Sequence, residues 1–479
     1  MIKYLTITLI ATLAAGSSLA AAQASESKPN ILFIMVDDLG KEWISCYGAE
    51  DIETPNIDAL AAGGMKFNNA YSMPSCTSSR TMLLTGQYPW RNGYVSHWDV
   101  PRWGVGYFDW KKKENTTFAR LMKDLGYMTA AAGKWQINDF RIEPQAMQKH
   151  GFDDWAMWTG AETGNEASDH RFIKPYINTP EGSKVYTGTF GPDVYTDHLI
   201  NFMTKHKEEP MCLYYPMALV HRPWVATPDH PNAKTRNERH VAMVHYVDKM
   251  VGKLIKSLND LGIRERTIVI FTTDNGTTGG RVGFTAIRNG VEVAGAKGEL
   301  SEAGVCAPFI INCPETVAAG VETDALTDFA DLLPTLVELG GGKVPEDLII
   351  DGTSIASVIL GKNQDSERPW IMSLGGGQGK IVDGRVVGAK VFGERVIRDK
   401  QYKVWVSKEK KITRLHDLKK DPWEKTNLLD SELAEHKAAT QKFQAVVDSL
   451  PDQDATPFYE PRAANAWDRK EQAKKPKAE

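Results

Sequence analysis

The segment Asn30-Ile-Leu-Phe-Ile-Met-Val36 is a continuous apolar run that stops at two adjacent carboxylates, Asp37 and Asp38. A branched, apolar stretch of this length without alternation describes a strand buried on both faces, as in a mainly parallel sheet covered by helices. Three more runs share this texture: Met211 to Pro216, Thr267 to Thr272 and Pro308 to Asn312. Between them, apolar residues recur at helical spacing over His240 to Leu261 (Val244, Val247, Val251, Leu254, Leu258), over Asn115 to Leu125, and over Leu326 to Leu339. Alternating buried strands and amphipathic helices predict an α/β fold with a doubly wound, mostly parallel sheet.

Sites in such sheets form beyond the carboxyl ends of the strands. Asp37-Asp38 follows the first run, Asp274-Asn275-Gly276 follows the third, and His221 comes within five residues of Pro216. Singly, Asp-Asp and Asp-Asn-Gly are ordinary turn residues. Adjacent carboxylates repel unless a cation or donors neutralise them, and carboxylate and amide oxygens at two strand ends suit a hard ion such as calcium or magnesium.

The segment Ser75-Cys76-Thr77-Ser78-Ser79-Arg80 leads into Thr81-Met-Leu-Leu-Thr85-Gly86 and predicts a short helix capped by Thr77 or Ser78, with Cys76 at its entrance. Free N–H groups there favour an anion, and Arg80 adds a fork that matches tetrahedral oxyanions. Five cysteines (46, 76, 212, 306 and 313) are few for an exported chain, and the odd count points to a use other than disulfides. Cys306 and Cys313, at the ends of one strand, would lie about 23 Å apart at ~3.3 Å per residue and cannot bridge.

Composition bounds the rest. With 42% hydrophobic and 25% charged residues the 479-residue chain reads as globular, and its formal net charge of −4 argues against nucleic acid as a partner. Leu5 to Leu19 is apolar and followed by Ala22-Gln23-Ala24, the pattern of a signal peptide cut after Ala24, too short for a stable membrane span. Export to the periplasm or the exterior is expected. Beyond about residue 365, glycines (Gly375-Gly-Gly377, Gly379, Gly384, Gly388, Gly393) punctuate short segments such as Lys403 to Val406, predicting a small antiparallel sheet.

The cysteine segment resembles the signature of the type I sulfatases in the alkaline-phosphatase superfamily, Cys-x-Pro/Ala-x-Arg with a following Leu-Leu-Thr-Gly run. The resemblance continues in order along nearly the whole mature chain. It covers Val36-Asp-Asp-Leu-Gly40, Thr54-Pro-Asn-Ile-Asp-Ala-Leu60, Gly133-Lys134-Trp135, Pro216 to Pro223 and Thr273-Asp-Asn-Gly276. Lys297-Gly298 with Glu302, Leu415-His-Asp-Leu418, Asp421-Pro422 and Asn427-Leu428 follow. It implies an alkaline-phosphatase-like catalytic domain over 25–365, after the signal peptide 1–24. An α+β C-terminal subdomain over 366–460 and a charged tail over 461–479 complete the division.

The resemblance also implies roles. Cys76 is oxidised to formylglycine by a maturation enzyme, and its hydrated aldehyde is the nucleophile. Calcium, rather than magnesium, is held by Asp37, Asp38, Asp274, Asn275 and the modified Cys76. Arg80 orients the formylglycine, Lys134 and Lys297 hold sulfate oxygens, and His221 sits near the leaving oxygen. Arg222 is a further candidate for an anionic substrate, on its chemistry alone. Three positions depart from the pattern. Ser78 stands where Pro or Ala is usual, Gln136 where the family has a histidine that contacts the formylglycine and helps expel sulfate, and Cys306 where an arginine closes the Glu-Gly-Gly-x-Arg stretch. Glutamine hydrogen-bonds but carries no proton-transfer function near neutral pH.

The expected substrate is a sulfated carbohydrate. Trp90, Trp98, Trp103, Trp110, Trp155 and Trp158 serve either sugar stacking or core and lid packing. Two alternatives stay open: a phosphomonoester or phosphodiester hydrolase of the same superfamily, and a non-catalytic binder of sulfated glycans with an unmodified Cys76.

Overall fold

The first run forms strand β1 (Asn30–Val36), in which all seven residues are buried. Its side chains alternate between two cores, Ile31, Phe33 and Met35 on one face and Leu32, Ile34 and Val36 on the other. This is why the run is apolar without a break. The computed structural model describes residues 28–455, except 96–115, 142, 161, 163–164, 376–379, 383–384 and 388–390. The expected signal peptide and charged tail, Asn115, Trp98, Trp103 and Trp110, and Gly376, Gly377, Gly379, Gly384 and Gly388 lie outside the described residues.

The strands that follow are β2 (Met65–Tyr71), β3 (Met128–Lys134), β4 (Asp154–Trp158), β5 (Tyr176–Thr179), β6 (Gly182–Val185), β7 (Met211–Pro216) and β8 (Thr267–Thr273). A hairpin, β9 (Thr285–Arg288) with β10 (Val291–Ala294), precedes β11 (Cys306–Asn312) and β12 (Val321–Asp328). Ten of them form one sheet in the order β12-β2-β11-β8-β1-β7-β3-β4-β5-β6. The β8-β1-β7-β3-β4 block is parallel, as expected. The Pro308 to Asn312 run departs from the expectation: β11 pairs antiparallel with both β8 and β2. An apolar run states burial on both faces but not direction.

Helices α1 (Pro55–Ala62), α2 (Cys76–Thr85), α3 (Phe118–Asp124), α4 (Gly191–His206), α5 (Arg236–Asp260) and α6 (Leu332–Leu339) cover the sheet. Residues of α2, α3 and α6 enter one core and those of α1, α4 and α5 the other. The long helix α5 begins in a capping box between Thr235 and Glu238, which satisfies N–H groups that a helix start leaves open. Leu326 to Leu339 is helical only from Phe329, a 3-10 turn over Phe329–Asp331 leading into the α-helix; Leu326 to Asp328 finish β12, because pairing with β2 outweighs the local helical spacing.

Downstream, β13 (Ile371–Leu374), β14 (Lys380–Val382), β15 (Arg385–Val387), β16 (Arg395–Arg398), β17 (Tyr402–Val406) and β18 (Ile412–Asp417) are followed by α7 (Ala434–Ser449). The pairs β13-β16-β17-β18 make the small antiparallel sheet, and β14-β15 a separate one. Met372, Leu374, Val404 and Leu415 share a core with Leu83 and Leu333, so this sheet is packed onto the larger layer. Glu302 strengthens the join by accepting from Lys403 Nζ at 3.1 Å and Arg398 Nη1 at 3.4 Å, and from the Tyr71 hydroxyl. All five cysteines are free thiols. No helix among the described residues is long and apolar enough to cross a membrane.

Candidate active site

The parallel register sets Val36 beside Thr273 and Met35 beside Pro216, so the next residues of three strands emerge at one level of the sheet edge. Asp274 N–H donates to Val36 O (2.9 Å), Met217 N–H to Met35 O and Asp37 N–H to Leu219 O (both 2.7 Å). Asp37 and Asp274 are thereby fixed by backbone bonds before their side chains interact. Lys134 ends the neighbouring β3, preceded by Gly133 at φ 126°, where a Cβ would lie 2.1 Å from the Pro216 carbonyl. Only glycine permits this approach of β3 to β7.

Helix α2 enters from β2, whose carboxyl end points to the same edge. Ser75 is its extended N-cap (φ −141°, ψ 151°), with no side-chain capping bond, and Cys76 is already helical. The expected cap at Thr77 or Ser78 is therefore displaced: both lie within the helix, and the Ser78 hydroxyl turns to Ser75 O at 2.9 Å. Gly86, left-handed at φ 67°, ends the helix. Every residue of α2 is buried, so Cys76 and Arg80 are presented from a rigid element.

The charged groups pair closely. Arg80 donates from Nε (2.9 Å) and Nη2 (2.6 Å) to Asp274 Oδ2. Lys134 Nζ lies 2.6 Å from Asp37 Oδ2, and Lys297 Nζ 2.6 Å from Asp38 Oδ1. Asn275 Nδ2 donates to Asp38 Oδ1 at 2.8 Å, and His221 Nε2 is 3.8 Å from Asp38 Oδ2. Cys76 Sγ faces Gln136 Oε1 at 3.4 Å. Asp38 (φ 59°) and Gln136 (φ 58°) both adopt left-handed backbone, a strain that concentrates at functional positions.

Burial, then Asp274, raises the Asp37 pKa above the usual carboxylate range, against the pull of Lys134 and His221. Burial acts the same way on Asp38, but Lys297, His221 and Lys134 outweigh it and hold Asp38 well below that range. Burial and Lys297 drive His221 well below the ordinary imidazole value despite Asp38 and Asp37, which makes it a neutral ring. Lys297 is pushed up by Asp38 and Cys76 against its own desolvation.

These residues border a pocket of about 270 Å³ lined by Asp38, Cys76, Gln136, His221, Arg222 and Lys297, with Ser75, Trp158, Arg171, Thr278 and Val282 completing the wall. Lys134, Arg80, Asp37 and Asp274 lie beneath it, fully buried. Arg222 is exposed at the mouth. Two wall residues carry no signal in the sequence. Arg171, from the loop between β4 and β5, stacks its guanidinium on the Trp158 ring (3.9 Å) and places Nη1 3.1 Å from His221 Nδ1. Thr278 donates to Asp38 Oδ2 at 3.1 Å. Of the named tryptophans, Trp155 and Trp158 are buried, and Trp158 reaches the pocket as well as the core.

The donor set fits a hard cation. Asp37 Oδ1 and Asn275 Oδ1 are buried acceptors without a hydrogen-bond partner among the described residues. Asp37, Cys76 and Asp274 bring ligand atoms within 4.8 Å of one another, as do Asp37, Asp38 and His221. Oxygen-rich groups of this kind select calcium or magnesium over softer metals.

Residues 29–342 match the family model for sulfatases, and residues 297–450 that for the C-terminal region of N-sulphoglucosamine sulphohydrolase. The chain belongs to the sulfatase family. It is accordingly a type I sulfatase of alkaline-phosphatase-like fold and a sulfuric ester hydrolase. Among curated proteins, this sulfatase is 32% identical to the N-acetylgalactosamine-6-sulfatase of Canis lupus familiaris, over 73% of this chain and 69% of that one. It is 27% identical to the steryl-sulfatase of Rattus norvegicus, over 72% of each. Among solved structures it resembles Ps i-CgsB with a TM-score of 0.74 and 26% identity, covering 90% of this chain and 95% of that one. BT4656, solved with D-glucosamine-2-N,6-O-disulfate, shares the fold at a TM-score of 0.69 and 21% identity, covering 89% of this chain and 99% of that one.

Proposed function

We propose that this sulfatase removes sulfate from a sulfated carbohydrate, with Cys76 converted to formylglycine by a maturation enzyme and calcium held by Asp37, Asp38, Asp274, Asn275 and residue 76. The observation that carries this reading is the thiol of Cys76 at the mouth of α2, beside two buried oxygens that lack partners and a cluster of cations. When bound, the ion polarises the sulfuryl group and residue 76, and the aldehyde hydrate supplies the nucleophile.

The remaining work falls to the chain's own side chains. Lys134 and Lys297 hold sulfate oxygens where negative charge spreads during transfer. Arg80, locked on Asp274, keeps residue 76 oriented. Gln136 hydrogen-bonds residue 76, and His221, a neutral ring, donates a hydrogen bond from Nε2–H to the departing alcohol oxygen. Arg171 and the Arg222 carbonyl (2.7 Å) compete for His221 Nδ1, and donation from Arg171 leaves the ring proton on Nε2, facing the pocket. Arg222 meets further anionic groups of the substrate at the mouth.

The carbohydrate reading is supported by relatives named as N-acetylgalactosamine-6-sulfatases and by Ps i-CgsB, solved with k-i-k-neocarrahexaose at 26% identity. Export guided by residues 1–24 fits a polymeric substrate found outside the cell. The domain limits 25–365, 366–460 and 461–479 are part of the same proposal.

The test joins the mass of the tryptic peptide Phe67 to Arg80, produced with a maturation system, to sulfate release from a panel of sulfated sugars. Formylglycine at residue 76 with release from at least one sugar supports the reading. An unmodified thiol in a protein that binds sulfated glycans without turnover supports the non-catalytic binder. Faster turnover of aryl phosphate than of matched aryl sulfate supports the phosphoesterase.

A further inference from the structure

A cavity separate from the catalytic pocket is larger than it. It measures about 380 Å³, lies between the turn after β1, the β9-β10 hairpin and the C-terminal sheet, and shares no lining residue with the catalytic pocket. On its wall, Lys41 Nζ donates to Cys306 Sγ at 3.1 Å and to the Asn68 carbonyl at 2.9 Å. Lys41 is only 6% exposed and Cys306 is half-buried, and both line the cavity. A buried lysine ordinarily meets a carboxylate. Here the hydrogen-bond partners are a carbonyl and a sulfur. Burial, with help from Arg288, holds the Lys41 pKa below the ordinary lysine value against the pull of Cys306 and Glu302, which brings the neutral amine within reach.

We propose that Lys41 and Cys306 are a modification site: hydrogen peroxide entering this cavity converts the pair to a reversible sulfur–nitrogen cross-link, a sulfenamide. The Cys306 sulfur attacks one peroxide oxygen, the O–O bond breaks, and the leaving hydroxide departs as water with the thiol proton. Sulfur, oxidised by two electrons, now bears a hydroxyl as sulfenic acid. The Lys41 amine, already in contact with sulfur, attacks it; the S–O bond breaks, and a second water leaves with a proton from nitrogen. The pair has lost two hydrogen atoms and gained one S–N bond. A small thiol reverses the link by attacking sulfur, which frees the amine, and a second thiol then releases Cys306. The link closes a loop between residues 265 apart and ties the turn following Asp38 to the segment following Lys297. It also protects Cys306 from irreversible oxidation to sulfinic and sulfonic acids.

The experiment treats the mature full-length protein with hydrogen peroxide, blocks free thiols, and maps tryptic peptides without reduction. The expected result is a joined pair of peptides containing Lys41 and Cys306, lighter by two hydrogen atoms than their sum and separated again by dithiothreitol. Lys41→Arg keeps a cation beside the sulfur but lacks the nucleophilic amine, so its Cys306 should accumulate as dimedone-reactive sulfenic acid or as sulfinic acid, with no joined peptides. The wild-type map decides by itself if that variant folds poorly. Wild-type protein in which Lys41 stays free while Cys306 remains a thiol, proceeds to sulfinic or sulfonic acid, or enters a disulfide overturns the proposal.

Discussion

Lys134 Nζ sits 2.6 Å from Asp37 Oδ2 with both side chains closed to solvent, while the other carboxylate oxygen of Asp37 has no hydrogen-bond partner. One oxygen thus answers a fixed cation of the chain, while the second, like Asn275 Oδ1, is buried without a partner, and Asp37 also belongs to the cluster with Cys76 and Asp274. A buried carboxylate oxygen in this state is costly unless a further cation meets it.

Chelation follows from that relationship. Dialysis against EDTA should abolish sulfate release and lower the melting temperature, since an ion at 100 times its Kd adds about 2.7 kcal/mol to folding. Calcium should restore both more fully than magnesium, because several protein oxygens and few waters suit the larger ion. Unchanged activity and melting temperature after chelation would contradict the proposed metal site.

Asp274 separates catalysis from folding when two substitutions are compared. Asp274→Ala leaves the Arg80 guanidinium buried without its acceptor, and such a loss destabilises by about 3–5 kcal/mol. Asp274→Asn retains an oxygen acceptor and should fold with a smaller decrease in melting temperature, yet lose about 10²-fold or more in kcat. Calorimetry alongside turnover on an aryl sulfate checks the split.

Gln136 contacts residue 76 but carries no titrating proton. Gln136→His should add a limb to the pH–rate profile near the ordinary imidazole pKa of ~6.5, absent from wild type. Gln136→Ala should lower kcat about tenfold through loss of one hydrogen bond. Superimposable pH profiles for wild type and Gln136→His would remove Gln136 from the reacting centre.

Arg171 is proposed to act through His221 as a positioning residue. Arg171→Ala leaves the Arg222 carbonyl as the remaining partner of Nδ1 and draws the ring proton away from Nε2. A fall of about 1.5–3 kcal/mol in transition-state stabilisation should appear in kcat more than in KM for a small aryl sulfate. The effect should shrink with a leaving group acidic enough to depart unprotonated; equal losses with both leaving groups would assign Arg171 to binding alone.

Stability should fall with acid in a window set by buried histidines. Burial pushes His150 and His240 both down to about 3, and His240 is stacked on Phe284 (3.9 Å) with neither ring nitrogen hydrogen-bonded. Below the unfolded value of ~6.5 the unfolded chain takes up protons that the fold refuses, so stability present above that pH is lost as pH falls toward 3. The slope is up to about 1.4 kcal/mol per pH unit for each histidine. His240→Phe should therefore gain on wild type as pH drops from 7 to 5 in denaturant titrations, while a constant difference would show that His240 does not titrate on unfolding.

Elements dominated by burial were legible from the chain. β1, β7 and β8 fall where the apolar runs lie, and α5 where its stripe lies, because complete burial imposes composition on every residue. Elements decided by competition were not. β12 takes Leu326 to Asp328 from a helical pattern, and α2 starts at Cys76 because Ser75 is extended, a backbone choice that Thr77 and Ser78 could equally have made.

The sequence by itself determined the kinds of chemistry present: hard oxygen donors at the ends of two buried strands, a cysteine followed by Arg80, and cations spaced along the chain. Only the tertiary structure decided which groups meet. Lys134 with Asp37, Lys297 with Asp38, Arg171 with His221 and Lys41 with Cys306 are each contributed by separate segments. The physical reason is that composition and periodicity report whether a residue is buried, whereas partnership depends on strand order, register and loop path, which bring residues such as Lys41 and Cys306, 265 positions apart, into contact.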